Sequence, residues 1–158
     1  VGDRVAKVLI DKGGEFNHGY TYSGHPVACA VALANLDIMA REDLPGRVRG
    51  AAGQHFAQGF AALADHPLVG MVESCGFVAG LVLVKDKTSK ERFDPSVGIG
   101  MVCRRHCFDN GLIMRAVGER MIIAPPLTMT HAEIDELMRL IRQALDLTLQ
   151  ELKDRALI

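Results

Sequence analysis

Residues 111–137 read GLIMRAVGERMIIAPPLTMTHAEIDEL, and they decide the architecture of the second half of the chain. Gly111 is the residue type that ends a helix. Leu112 to Val117 and Met121 to Ala124 are two short apolar runs separated by Gly118-Glu119-Arg120, which predicts two strands joined by a tight turn. Thr130 stands where a helix N-cap belongs, and Glu133 follows three residues later, the spacing of a capping box. Beyond that cap Ile134, Leu137, Met138, Ile141, Ala144 and Leu145 recur at helical spacing, so the last helix turns one apolar stripe inward.

The same punctuation extends upstream. Gly100 to Asn110 predicts a helix that stops at Gly111, while Leu68 to Val72 and Phe77 to Val84 predict two strands around Ser74-Cys75-Gly76. Before them, Pro45 opens a helix, and Arg47 to Leu63 carries Val48, Ala51, Ala52, Phe56, Phe60 and Leu63 on one stripe, as a single amphipathic surface helix does. The run KDKTSKERFD, Lys85 to Asp94, mixes both signs of charge and reads as a solvated loop. Helices alternating with a short mixed or antiparallel sheet define an α/β domain over residues 42–158.

Residues 1–41 have a different character. Val1 to Lys12 is a short helix halted by Gly13-Gly14, and Glu15 to His25 is a loop rich in Gly, Tyr, Thr, Ser and His. Pro26 to Arg41, PVACAVALANLDIMAR, is apolar on nearly every face, which predicts a buried helix. One small domain rarely covers such a helix on all sides, so the chain reads as incomplete by itself.

Composition narrows the function. Of 158 residues 49% are hydrophobic and 23% charged, with a formal net charge of −1, so there is material for a packed core and no basic footprint for nucleic acid or an anionic membrane. No apolar run approaches the roughly 20 residues needed to span a bilayer, and no signal-peptide pattern opens the chain, so a cytoplasmic location is expected. Four cysteines, none at C-x-x-C spacing, are too few for a disulfide scaffold. Cys103, His106 and Cys107 crowd one helix, yet no second ligand pair accompanies them, so no metal site is expected.

Two places concentrate chemistry. The loop His18-Gly19-Tyr20-Thr21-Tyr22-Ser23-Gly24-His25-Pro26 gathers hydroxyl groups before a helix N-terminus, where free N–H groups and the helix dipole favour a phosphate; equally, Ser23 caps the helix and the tyrosines fill space. Arg115 interrupts an apolar strand and calls for an acidic partner or a ligand. Glu119 is the candidate for a structural ion pair, and a substrate carboxylate, matched bidentately by the guanidinium, is the rival.

The two segments FNHGYTYSGHPVACAVALANLDIM, residues 16–39, and GLIMRAVGERMIIAPPLTMTHAEIDEL together resemble the C-terminal part of the class III, fold-type-I pyridoxal-phosphate aminotransferases, close to the omega-amino acid:pyruvate group. The resemblance runs across essentially the whole chain. It implies that residues 1–41 are the end of the large cofactor-binding domain with an interdomain helix, and that residues 42–158 are the small C-terminal domain. It implies pyridoxal 5'-phosphate as cofactor, an amine or amino acid and a keto acid, pyruvate, as substrates, and a homodimer that shares active sites. By motif, Thr21 matches the threonine that binds the cofactor phosphate of the neighbouring subunit, Tyr20 borders that partner's substrate pocket, and Arg115 matches the mobile arginine that receives a substrate carboxylate. The Schiff-base lysine and the aspartate on the pyridine nitrogen have no match here, since Lys7 and Lys12 lie outside any motif. The expectation is therefore a fragment with binding residues and no catalytic ones, inactive alone, and its alternative is a non-catalytic dimerisation or interaction module associating through residues 26–41.

Overall fold

The computed structural model describes residues 2–15 and 19–158. The chain divides into two compact units, Val1–Arg41 and Glu42–Ile158. In the first, helix α1 (Asp3–Lys12) ends where Gly13 donates its N–H to the Leu9 carbonyl at 3.0 Å. Helix α2 (Pro26–Arg41) has the bounds the sequence predicts. None of its residues is buried, contrary to the expectation of a buried helix, and Val27, Val31, Leu33 and Leu36 are exposed. Among the described residues of this unit there is one other helix, itself without a buried residue, and it does not cover an all-round apolar surface.

The second unit is built on a four-stranded sheet of order β1-β2-β4-β3, formed by β1 (Val69–Cys75), β2 (Val78–Leu83), β3 (Arg115–Val117) and β4 (Arg120–Ile123). Every pairing is antiparallel, so of the two sheets the sequence allowed it is the antiparallel one. Gly76, at φ 57, makes the sharp turn between β1 and β2. Period-2 alternation separates the faces: Ala79, Leu81, Leu83, Met121 and Ile123 are buried, whereas Val78 and Arg120 are exposed.

Helices α4 (Ala51–Ala62) and α5 (Ile99–Asp109) lie against the strands, and α6 (His131–Asp154) packs across both. Phe56 and Phe60 are fully buried on α4, with ring centroids 5.9 Å apart, and Phe56 meets Phe77 at 5.2 Å. Burial of each such side chain contributes about 1.5–3 kcal/mol. The capping box at the start of α6 forms as the sequence predicts, with Thr130 accepting from the Glu133 N–H and Glu133 accepting from the Thr130 N–H.

Several boundaries differ from expectation, and β1 runs on through Ser74 and Cys75, which the sequence places in the turn. The single helix predicted over Arg47 to Leu63 is two, α3 (Leu44–Arg49) and α4, broken at Gly50, whose ψ of −144° is not helical. The break lets α4 approach closely, since a Cβ on Gly53 would lie 1.7 Å from the Val48 carbonyl oxygen. The strand predicted from Leu112 begins only at Arg115, because the Leu112 N–H donates to the Cys107 carbonyl at 2.9 Å and Gly111, at φ 78, completes the end of α5. Among the described residues no helix is long and apolar enough to cross a membrane.

Candidate functional site

The first site segment is the turn before α2. Phe16, Asn17 and His18, the start of the motif, lie outside the described residues. The Ser23 N–H donates to the Tyr20 carbonyl at 3.0 Å, and the Ser23 hydroxyl accepts from the Tyr20 N–H at 3.3 Å, so the serine folds back into its own turn. The role expected of Ser23 as helix cap falls to His25, whose Nδ1 accepts the Ala28 N–H at 3.3 Å. With Pro26 lacking an N–H and Ala28 bonded to His25, few free backbone donors remain at this helix start. Thr21 is exposed, and its side chain makes no hydrogen bond among the described residues. Tyr20 is exposed beside it.

The second site segment is the β3–β4 hairpin. Arg115 is exposed, so the sequence picture of a guanidinium buried in an apolar strand does not hold. Glu119 is not its partner: that carboxylate pairs with Arg92 at 3.5 Å, and Arg115 makes no ion pair among the described residues. The register explains this. Arg115 stands opposite Ile122 at the open end of the hairpin, and Glu119 sits in its turn. Arg115 borders a concavity of about 430 Å³ with Ile113, Ile122, Pro125 and Pro126. A free guanidinium over apolar walls is suited to receiving a carboxylate.

The remaining candidates are accounted for by packing. Cys103 and Cys107 are buried in the core, where the hydrogen bond with Cys103 and then burial hold the Cys107 thiol protonated, far above the usual thiol range. His106 bonds Glu151 at 2.8 Å, and Arg105 bonds the same carboxylate. Burial raises the Glu151 pKa, but these two hydrogen bonds outweigh it and leave the group below the ordinary glutamate value. Among the described residues no group of three or more His, Cys, Asp or Glu side chains is placed to hold a metal ion. Lys7 and Lys12 are exposed on α1.

The class-III aminotransferase family profile matches residues 3–145. The chain belongs to that family. A putrescine–pyruvate aminotransferase of Pseudomonas aeruginosa is 52% identical over 148 residues, 94% of this chain and 32% of that protein. A diaminobutyrate–2-oxoglutarate transaminase of Halomonas elongata is 41% identical over 143 residues, 87% of this chain and 30% of its own length. A pyridoxal-phosphate-bound aminotransferase mutant from Vibrio fluvialis superposes with a TM-score of 0.82 at 36% identity, covering 96% of this chain and 34% of that one. This class-III chain thus spans about a third of the length of the relatives it matches. The fold of this chain superposes on that of solved transaminases, so fold and family agree.

One residue of this aminotransferase sheet escaped the sequence reading. Arg120 was assigned to the turn, but it opens β4 and pairs with Val117 and Val82, which places it on the face that carries Arg115. No period-2 signal marks it in the sequence, since Arg120 is followed by three apolar residues in a row.

Proposed function

We propose that this chain is part of an aminotransferase that moves an amino group from an amine or amino acid to a keto acid, pyruvate, with pyridoxal 5'-phosphate, in a homodimer. The observation that carries this reading is the unpaired Arg115 over an apolar concavity, in a chain whose family is class III. Pyridoxal phosphate, when bound, supplies an electron sink to the amino-bearing carbon of the substrate. The residues present suit it in part: Thr21 holds an exposed hydroxyl with no partner among the described residues, and that hydroxyl donates to a phosphate oxygen. Tyr20 beside it shapes the rim of the pocket. Arg115 binds the substrate carboxylate and so sets which carbon faces the proton-moving group.

No lysine of this chain stands at either site segment, so the amine that forms the Schiff base comes from the longer polypeptide, and the 158 residues alone are inactive. The test is Arg115→Ala in that polypeptide, with kcat/KM measured in the half-reaction for an amino acid and for an arylalkylamine. Loss of one partner of a desolvated charge pair costs about 2–5 kcal/mol, so the amino acid should suffer a fall of about thirtyfold at the least and the amine little. Equal losses would make Arg115 a structural residue.

A further inference from the structure

One wall of the Arg115 concavity is fastened by a residue far from it in sequence. Between β4, which ends at Ile123, and α6, which begins at His131, the chain forms neither strand nor helix. Pro125 and Pro126 have no N–H to donate, and the segment turns back where the Met129 N–H donates to the Pro126 carbonyl at 3.2 Å. Pro125, Pro126 and Met129 border the concavity of about 430 Å³ that Arg115 also borders. A carbon chain attached to a carboxylate on Arg115 has these three apolar residues for a wall, so the position of Met129 decides how much of that chain fits.

The Met129 carbonyl accepts a hydrogen bond from Nη2 of Arg47, across 82 positions of sequence. Arg47 lies on α3, which Asp43 caps by accepting the Gly46 N–H at 3.1 Å and which Leu44 anchors by its burial. Helix α3 is thus a fixed point against which the irregular segment is held. Arg47 is half-buried, and its Nε is buried with no hydrogen-bond partner among the described residues. A guanidinium with an unmade buried hydrogen bond is less favourable there than an apolar side chain of similar length. Its presence is explained by what it holds in place.

We propose that Arg47 is a positioning residue for the substrate: by holding the Met129 carbonyl it fixes the apolar wall of the Arg115 concavity, and so sets which carboxylates fit by the bulk of their carbon chain. The proposal rests on the aminotransferase reading, in which Arg115 receives the substrate carboxylate, and adds a selection by size. In the cofactor-loaded full polypeptide, calorimetry compares butanoate with 4-phenylbutanoate, neither of which has an amino or oxo group to react, for the parent, Arg47→Gln, Arg47→Lys and Met129→Ala. Glutamine is too short to reach the carbonyl, so Arg47→Gln should lower the ratio of dissociation constants, 4-phenylbutanoate over butanoate, by about fivefold or more, the scale of one net hydrogen bond. Any loss of pyruvate turnover should fall on KM, with kcat within about twofold of the parent. Arg47→Lys keeps a donor of similar reach and should restore most of the parental ratio. Met129→Ala should give the same shift, and combining it with Arg47→Gln should add little. Arg47→Met, which keeps the stem and loses the donor, carries the comparison if Arg47→Gln does not fold. A lower Tm with the parental ratio would make Arg47 structural only and overturn the proposal, as would full additivity of the two substitutions or a shift that lysine does not reduce. Failure of the parent to bind either acid would overturn both the proposal and the Arg115 assignment. Absence of amino transfer by the parent, with the ratio still shifted in Arg47→Gln, would sink the aminotransferase reading and leave the positioning role standing.

Discussion

His66 shows how one buried side chain makes the fold sensitive to pH. It is 1% exposed between the 3-10 turn Leu63–Asp65 and β1, its Nδ1 accepts the Leu68 N–H at 3.2 Å, and its Nε2 points at Asp146, 3.3 Å away. Accepting at Nδ1 requires the lone pair there, so the neutral ring suits the site. Burial lowers its pKa below 6.5, and Arg142 adds to that, while Asp146 and Asp65 pull the other way without prevailing. The unfolded chain therefore binds a proton that the native one refuses. Stability should be full above about pH 7, fall as pH drops through 6.5, and level off once the native ring also protonates. Urea midpoints at pH 8 and pH 5.5 for the parent and His66→Gln check this: the variant should be less stable at pH 8 and lose part of the pH dependence. An unchanged slope would show that other groups set it. At the same scale, Thr130→Ala should cost about 0.5–2 kcal/mol of stability by removing the cap of α6, measured as a drop in Tm.

At the scale of elements, the junction of α3 and α4 makes the sharpest demand. Gly53→Ala would drive a methyl group into the Val48 carbonyl, a backbone atom that cannot step aside, and should destabilise by about 1–3 kcal/mol or more in chemical denaturation. Gly59→Ala meets only the flexible Met138 side chain and should cost less. The contrast also explains what the sequence could disclose. Helices α2, α5 and α6 were legible because Pro26, Gly111 and the Thr130–Glu133 pair mark their ends locally. The split at Gly50 was not, since Val48, Ala52 and Phe56 keep helical spacing through the break. Thr21 and Arg115 stood out by residue type and motif, but the fate of Arg115 depended on Arg92, from a charged run that reads in sequence only as a solvated loop. That contact is set by tertiary structure, not by neighbours in sequence. Ser23 yielded its cap to His25 for a local reason instead: the turn closed on itself before the helix began.

For the whole molecule, the exposed apolar residues of α2, and Thr21 and Arg115 without partners among the described residues, support the proposed function, in which this chain is part of a longer aminotransferase. Its relatives are about three times as long. In the proposed function Thr21 serves the cofactor of a neighbouring subunit in a homodimer. The most direct measurement mixes full-length subunits lacking the Schiff-base lysine with subunits carrying Thr21→Ala, under conditions of proven exchange and at low cofactor concentration. Alone, Thr21→Ala should lose roughly 1.5–3 kcal/mol of cofactor binding, one hydrogen bond to a charged group. If Thr21 acts across the interface, each mixed dimer holds one site with both groups intact, and activity should rise above that of either parent. If mixed dimers form and activity stays at the parental level, every site carries a defect, and the shared-site account is contradicted.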